Sequence, residues 1–490
     1  MNKPGDLPLT AHSLARHFIA NAWVAPAGAR TIPVVDPSTG EVFAEIARGG
    51  AAEIDLAVRA ARKAFEGAWG ALAPAERGRL LTKLSYLLAR DADRLARIES
   101  RDVGKPLSQA KRDIAATARY FEYYAGACDK LAGEVLPYTP GYAVMVLRVP
   151  FGVTGHIIPW NYPSQIFGRS VGASLAAGNA CVVKPPEDAS LGLLEIAQLA
   201  LESGFPEGAL NVVTGYGPEA GAALCAHPGI DHISFTGSPA TGTLVSQAAA
   251  AHHCPVTLEL GGKSPQIVFA DADLEAAVPV IVNAIVQNAG QTCSAGSRLL
   301  VERSAYEAVL AKVGERISAM NCGVAERDPS LGPLVNAKQL ERVRGYVRRA
   351  TEDGVRLAAQ GKVGADAPEG GFYHPPMLFA DVPPDHPIAQ EEVFGPVLVA
   401  MPFADEAEAV RLANGTPYGL VAGVWTKDGA RQLRLAKALR SGQVFVNDYG
   451  AGGGVELPFG GVKRSGHGRE KGWAGLLGFT TLKTVAIKHG

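Results

Sequence analysis

The balance of charges excludes several classes of protein. Lys and Arg total 47 and Asp and Glu total 48 in 490 residues, so the net charge is close to zero and no basic surface for nucleic acid or membrane lipid is expected. This length allows two or three domains with well-filled cores. The sequence has neither a signal-peptide core at its amino terminus nor an apolar run of about 20 residues that could cross a bilayer.

The cysteines indicate a reducing compartment rather than a disulfide or metal framework. None forms a Cys-x-x-Cys pair, and no histidine cluster has metal-ligand spacing. We therefore expect a cytoplasmic protein without a metal site. The six cysteines are Cys128, Cys181, Cys225, Cys254, Cys293 and Cys322.

The first 150 residues change from strand-like to helical and back to extended patterns. Residues 17–26 and 31–46 are typical of short strands around turns, whereas leucines recur at helical spacing within 51–127. Residues 136–150 are apolar on both faces and follow a Pro/Gly turn. The tail at 479–488 is also strand-like, and exposed strands of this kind need a partner.

Strands then alternate with helices, which is typical of a doubly wound parallel sheet. Such a sheet binds ligands at the carboxyl ends of its strands. The predicted strands are 153–158, 180–184, 210–214, 232–236 and 256–260, and the predicted helices are 166–177, 191–203, 218–226 and 242–251. The fold class is therefore α/β.

A second set of strands predicts a second α/β domain, with Cys293 near its beginning. A cleft between two such domains is a usual place for a cofactor to meet a substrate. These strands are predicted at 298–301, 377–379, 396–401, 419–425 and 443–446.

Two residues stand out as candidates for catalysis. Glu259 follows an apolar run, so it can end a buried strand with a raised pKa and act as a general base. Cys293 lies between Gly290 and a run of small residues, a setting that exposes sulfur for nucleophilic attack. Taken alone, such a glutamate is more often an ion-pair partner and such a cysteine a small buried hydrophobe.

The sequence segments around both residues resemble those of the NAD(P)-dependent aldehyde dehydrogenase superfamily. Leu258-Glu-Leu-Gly-Gly-Lys-Ser-Pro265 and Gly290-Gln-Thr-Cys293 are similar to its two signature segments, and other matching segments follow in order along nearly the whole chain. The resemblance implies that Cys293 attacks an aldehyde and that Glu259 activates water. It also implies that Asn161, in Pro159-Trp-Asn-Tyr-Pro163, stabilises the oxyanion. Glu259 argues against the coenzyme A-acylating branch, which needs no such base.

The resemblance also implies a nicotinamide cofactor. Glu187 would repel a 2′-phosphate and favours NAD, although Lys184 could compensate and leave NADP as an alternative. The run Gly215-x-Gly217-x-x-x-Gly221 misses the common dinucleotide fingerprint by one residue. The expected cofactor-binding residues are Ile157, Trp160, Lys184, Glu187, Gly217, Gly237, Ser238, Glu392 and Phe394.

The sequence gives one clue to the substrate. Arg169 follows Asn161 by eight positions, where relatives that resemble succinate-semialdehyde and hydroxybenzaldehyde dehydrogenases have arginine, so it could bind a carboxylate or a phenol oxygen. A structural ion pair is an equal alternative. The second arginine of the semialdehyde enzymes is Gln287 here. Tyr162 is a third candidate for the substrate tunnel.

The resemblance implies a division of the chain and an assembly. Residues 1–127 and 150–261 would bind NAD, 262–463 would form the catalytic domain, and 128–149 with 464–490 would form a small β extension that joins subunits. We expect a homodimer or homotetramer acting on a small aldehyde. Two alternatives are a non-catalytic, crystallin-like protein on the same fold and a thiol esterase that needs no NAD.

Overall fold

The computed structural model describes residues 15–450 and 454–490. It begins with two small antiparallel strand pairs and four helices. Glu53 starts the first helix, since its carboxylate accepts the Gly50 N–H at 2.8 Å, and Gly104 ends the third with a left-handed φ of 82°. The elements are β1 (His17–Ile19), β2 (Ala22–Val24), β3 (Thr31–Val35), β4 (Val42–Ala47), α1 (Ala51–Glu66), α2 (Pro74–Arg90), α3 (Ala92–Val103) and α4 (Leu107–Ala127).

The predicted alternation of strands and helices in the next hundred residues is confirmed. The strands are buried on both faces, as expected for a parallel sheet covered by helices. After β5 (Glu134–Leu136) and β6 (Tyr142–Pro150) come β7 (Val153–Ile157), α5 (Pro163–Ala177), β8 (Ala180–Lys184), α6 (Leu191–Ser203), β9 (Leu210–Val212), α7 (Ala222–Ala226), β10 (His232–Thr236), α8 (Pro239–Ala250) and β11 (Val256–Glu259). The helix predicted at 218–226 begins instead with a π-turn at Gly217–Gly221.

The second α/β unit contains all five predicted strands. It also contains a strand that the sequence did not reveal, Pro265–Val268, which lies inside its sheet. The elements are β12 (Pro265–Val268), α9 (Leu274–Val286), β13 (Arg298–Glu302), α10 (Tyr306–Ser318), β14 (Asn321–Cys322), α11 (Ala337–Glu352), β15 (Arg356–Gln360), β16 (Lys362–Val363), β17 (Met377–Ala380), α12 (Pro387–Gln390), β18 (Val397–Phe403), α13 (Glu406–Asn414), β19 (Val421–Trp425), α14 (Gly429–Ala438) and β20 (Gln443–Val446). The chain then continues through β21 (Gly466–His467), α15 (Gly472–Leu477) and β22 (Thr480–Lys488).

Two large sheets organise the molecule. The first has the strand order β2-β1-β9-β8-β7-β10-β11-β21, with β7 to β11 mutually parallel, and the second has the order β15-β17-β18-β13-β12-β19-β20. In the first sheet the chain order reverses between β7 and β10, so a ligand crevice is expected at their carboxyl ends. The α/β fold class with two doubly wound sheets is confirmed.

The carboxyl edge of the first sheet meets the amino edge of the second. The chain passes from the end of β11 to the start of β12 within the few residues after Glu259, so the two edges are adjacent. Cys293 precedes β13 and Glu392 precedes β18, so both belong to the amino edge. The first sheet therefore follows the rule that ligand-binding residues lie at the carboxyl ends of parallel strands. The second sheet contributes Cys293 and Glu392 from the amino ends of its strands.

The strand-like tail pairs with the strand at 142–150, as the sequence suggested. β22 runs antiparallel to β6 from Thr480 opposite Pro150 to Lys488 opposite Tyr142, and β5 completes a three-stranded sheet. Residues 464–490 are divided between two places, because β21 adds to the edge of the first sheet while only β22 extends the small one. In the described part of the chain, no helix is long and apolar enough to cross a membrane.

Candidate active site

Cys293 is the described cysteine with the least buried side chain. The others are buried, whereas Cys293 is half-buried at the meeting of the two sheets. Its surroundings still raise the pKa of the thiol to about 12, since burial disfavours the thiolate and Arg169 opposes this only in part. Glu392 and Glu259 raise it further, which places both carboxylates within electrostatic range of the sulfur.

Glu259 ends β11 with a buried carboxylate that is 1% exposed. Neither of its oxygens has a hydrogen-bond partner among the described residues. Burial and the neighbouring Glu470 raise the pKa of Glu259 well above its ordinary value, and Arg169 opposes them. A buried carboxylate without donors is uncommon and is suited to accept a proton from water or thiol.

Asn161 lies on the other side of the Cys293 loop, in the turn between β7 and α5. Its Nδ2 donates to the Gln291 carbonyl at 2.9 Å, and its own carbonyl accepts from Asn288 Nδ2 at 2.9 Å. The side-chain amide nitrogen of Asn161 carries two hydrogens, and the Gln291 carbonyl accepts one of them. The other hydrogen can be donated to a substrate oxygen beside the thiol. Asn161 is thus bonded to the loop that carries Cys293, and Glu259 lies within electrostatic range of the same cysteine.

Glycines allow these segments to approach each other. A Cβ on Gly262 would lie 2.4 Å from the Cys293 carbonyl oxygen, and one on Gly290 would lie 2.2 Å from the Gly395 carbonyl. Such distances are far inside van der Waals contact, so only glycine fits at both positions. Gly262 therefore allows the two signature segments to meet, and Gly290 allows the second of them to approach the backbone at Gly395.

Arg169 projects from α5 into the same region and forms a buried ion pair with Glu470. Its guanidinium lies 4.9 Å from the centre of the Phe459 ring. Burial lowers the pKa of Arg169, but Glu470 and Glu259 raise it above its ordinary value. The ion pair anticipated as the structural alternative therefore exists, although Arg169 Nη2 has no hydrogen-bond partner in the residues described.

The other substrate candidates occupy different positions. The Tyr162 hydroxyl shares a hydrogen bond of 2.9 Å with Thr292 Oγ1, so it touches the residue next to Cys293. Gln287 is half-buried where α9 ends, beside the Asn288 that contacts Asn161.

Most of the predicted cofactor residues follow neighbouring strands of the first sheet. Ile157 and Lys184 are the last residues of β7 and β8, Trp160 and Glu187 follow these two strands, and Gly237 with Ser238 follows β10. Gly217 follows β9, at a turn where a Cβ would meet no atom within 4 Å. Lys184 Nζ and Glu187 Oε2 are 2.6 Å apart, and Ser238 Oγ caps α8 by accepting the Thr241 N–H.

The second sheet brings the remaining two predicted cofactor-binding residues, Glu392 and Phe394, to the same crevice. The rings of Trp160 and Phe394 meet edge to face with centroids 5.4 Å apart. Glu392 accepts the Gly262 N–H at 2.9 Å, and burial raises its pKa to about 7. An aromatic pair and a carboxylate beside the thiol suit a planar ring and a ribose hydroxyl, so these residues fit a nicotinamide nucleotide.

Sequence reasoning missed three residues of this site. Glu470 lies in a segment that resembles the family, but neither Glu470 nor Tyr449 was predicted as a site residue. Thr292 was predicted only as part of the segment that ends at Cys293. A lone glutamate or tyrosine carries no local signal for a buried role, because burial depends on elements hundreds of positions away. Tyr449 donates its hydroxyl hydrogen to the Ser294 carbonyl at 2.5 Å.

Comparisons with known proteins agree with this geometry. The model of the Aldehyde dehydrogenase family matches residues 23–485. An aldehyde dehydrogenase of Emericella nidulans is 41% identical over 475 residues, covering 96% of this chain and 95% of that protein. A (Z)-2-((N-methylformamido)methylene)-5-hydroxybutyrolactone dehydrogenase of Acinetobacter baylyi is 41% identical, covering 94% of each chain.

A solved relative shows the cofactor. The NAD+ complex of an aldehyde dehydrogenase from Bacillus cereus superposes with a TM-score of 0.94 and is 41% identical, covering 97% of each chain. With the family match and these relatives, NAD is the cofactor, and a non-catalytic role is not favoured. The chain belongs to the aldehyde dehydrogenase family and is an NAD(P)-dependent aldehyde dehydrogenase.

Proposed function

We propose that this enzyme oxidises an oxygen-bearing aromatic or anionic aldehyde to its carboxylate, with Cys293 as nucleophile and Glu259 as general base. The observation that carries the proposal is the half-buried Cys293 within electrostatic range of the Glu259 carboxylate, whose oxygens have no hydrogen-bond partner among the described residues. A thiol with a pKa of about 12 needs a base to take its proton, and a carboxylate with a raised pKa can do so.

The proposed steps use this chain's own groups. The Cys293 sulfur attacks the carbonyl carbon, and the Asn161 amide with the Cys293 N–H donates to the oxyanion. When bound, NAD+ accepts the hydride that the former aldehyde carbon loses. Glu259 then releases to solvent the proton it took from the thiol and removes a proton from water, which attacks the resulting thioester, and the carboxylate product leaves as the Cys293 sulfur is released.

Arg169 supports the substrate class. Its Nη2 is buried without a partner, so a substrate oxygen that accepts this hydrogen would remove an uncompensated donor. Glu470 already balances the positive charge, and therefore a phenol oxygen fits better than a second carboxylate. We expect 4-hydroxybenzaldehyde to be preferred over succinic semialdehyde, and both over propanal.

NADH formation with these three aldehydes tests the proposal. Cys293→Ala should abolish turnover, and Glu259→Gln should lower both the first burst of NADH and steady-state turnover at least about 100-fold. Arg169→Met should raise KM for 4-hydroxybenzaldehyde about 10-fold and leave KM for propanal nearly unchanged. Equal effects on both substrates would remove the role of Arg169 in substrate binding.

We also propose that copies of this chain associate through the three-stranded sheet. Apolar side chains remain exposed on it: Val135 at 80%, Leu482 at 59% and Ile487 at 47%. Val135 and Ile487 lie on one face of this sheet and Leu482 on the other, and apolar side chains exposed in this way are typical of an interface. A homodimer or homotetramer is expected, and we expect it in a reducing, cytoplasmic location.

A further inference from the structure

The two neighbours of Cys293 are each held by a tyrosine hydroxyl. Thr292 Oγ1 shares a hydrogen bond of 2.9 Å with Tyr162, and the Ser294 carbonyl accepts from Tyr449 at 2.5 Å. Tyr162 immediately precedes α5 beside the first sheet, whereas Tyr449 follows β20 of the second. The nucleophile is therefore held on both sides, once from each half of the molecule.

The loop before Cys293 needs such support. Three consecutive residues, Asn288, Ala289 and Gly290, have left-handed φ angles of 49°, 53° and 75°. For residues other than glycine this conformation is unfavourable and persists only where the surroundings enforce it. Hydrogen bonds from Asn161 and Asn288 fix the start of the loop, but they do not reach the residues on either side of the sulfur.

Tyr162 is itself fixed by a buried cation. Lys105 Nζ lies 4.1 Å from the centre of the Tyr162 ring. This lysine is fully buried and forms ion pairs with Glu99, at 3.0 Å, and with Asp113. Because the cation is held by two carboxylates, the ring and its hydroxyl have little freedom to move.

We propose that Tyr162 and Tyr449 are positioning residues that hold the Cys293 sulfur and backbone N–H in the geometry required for attack on the aldehyde. This inference rests on the proposed role of Cys293. Attack requires the reacting atoms about 3 to 3.5 Å apart and aligned, and an error of about 1 Å can cost about 100-fold in rate. Each hydroxyl already bonds a neighbour of Cys293, so its loss should change kcat rather than KM.

The variants Y162F and Y449F test this inference, because each removes one hydroxyl and keeps the ring. We expect kcat to fall about 10- to 100-fold in each, with KM for the aldehyde within about threefold of the parent value. The rate at which iodoacetamide alkylates Cys293 should also change, and this readout needs no turnover. The matched control is Y373F, which removes the hydroxyl of a buried tyrosine that donates to the Ser38 carbonyl at 2.8 Å. It should leave kcat unchanged.

The outcomes separate this inference from the proposed function. Parental kcat and alkylation rates in Y162F and Y449F, with Cys293→Ala inactive, would overturn the positioning role and leave the proposed function intact. Full activity of Cys293→Ala would overturn both. Should Y162F fail to fold, Thr292→Val removes the same hydrogen bond from the other side and is expected to lower kcat equally.

Discussion

Arg169 and Glu470 form a buried ion pair directly beside the Glu259 carboxylate. The two partners act on Glu259 in opposite directions, since the guanidinium lowers its pKa and the second carboxylate raises it. Arg469 also lowers it. Burial is the largest cause of the raised pKa of Glu259, and the ion pair adjusts the pH at which this carboxylate can accept a proton.

The first prediction concerns the pH profile of turnover. Ionised Glu259 is the active form, so activity should rise as pH increases through its pKa. Arg169→Met removes a cation, raises that pKa and should move the acid limb of kcat about 1 pH unit higher; Glu470→Gln removes an anion and should move it about 1 unit lower. Steady-state rates from pH 5 to 10 would measure both shifts, and two shifts of the same sign would contradict this account.

The second prediction concerns Gly460. A Cβ at this position would lie 2.6 Å from Glu259 Oε1, and its φ of 155° also disfavours other residues. Gly460→Ala should displace the carboxylate and lower kcat at least about 10-fold, while NAD binding measured by fluorescence titration stays close to that of the parent. Gly126→Ala is the control, since nothing lies within 4 Å of its Cβ in α4. Retained kcat in Gly460→Ala would show that Glu259 has room to move.

The third prediction concerns cofactor choice. Glu187 Oε2 is 2.6 Å from Lys184 Nζ, so its charge is partly balanced, yet it would still oppose a 2′-phosphate. Glu187→Gln removes the repulsion and frees the lysine. We expect kcat/KM for NADP+ to rise about 10-fold, with a smaller loss for NAD+. Parallel titrations of the two cofactors measure the ratio of kcat/KM for NADP+ to kcat/KM for NAD+. An unchanged ratio would show that the 2′ position of the cofactor ribose does not lie beside Glu187.

The fourth prediction concerns assembly. Leu482 is 59% exposed on β22, and Leu482→Asp would place a charge on the apolar surface that we propose as an interface. Light scattering should show a shift toward monomer. Leu433→Asp, at a residue that is 68% exposed on α14, should leave the assembly as it is. If both variants keep the parental mass, the subunits meet through another surface.

Patterns along the chain predicted most of the elements. The alternation of apolar strands with helices gave the strands of the first sheet to within about two residues, because strands buried on both faces are continuous apolar runs. β12 was missed because Pro265 begins it and the preceding Gly-Gly-Lys-Ser run reads as a loop. A proline is nevertheless allowed at the first position of a strand.

The catalytic candidates were found for a different reason. Glu259 and Cys293 lie in short segments whose glycines have no role within a single strand or helix, and these segments resemble a family with known chemistry. Glu470 and Tyr449 gave no comparable signal, because nothing near them in sequence distinguishes a buried glutamate or tyrosine from an exposed one.

The sequence by itself determined the element types, the two α/β units and the identity of the thiol and carboxylate, because these depend on local periodicity and on short segments. Only the tertiary structure decided that Arg169 pairs with Glu470 and that two tyrosines hold the neighbours of Cys293. Such contacts join residues from about 130 to 300 positions apart, and the contact between Tyr162 and Thr292 also joins the two α/β units. The pairing of a buried charge depends on the tertiary fold, since burial makes an unpaired charge costly and the partner can come from any segment that reaches it.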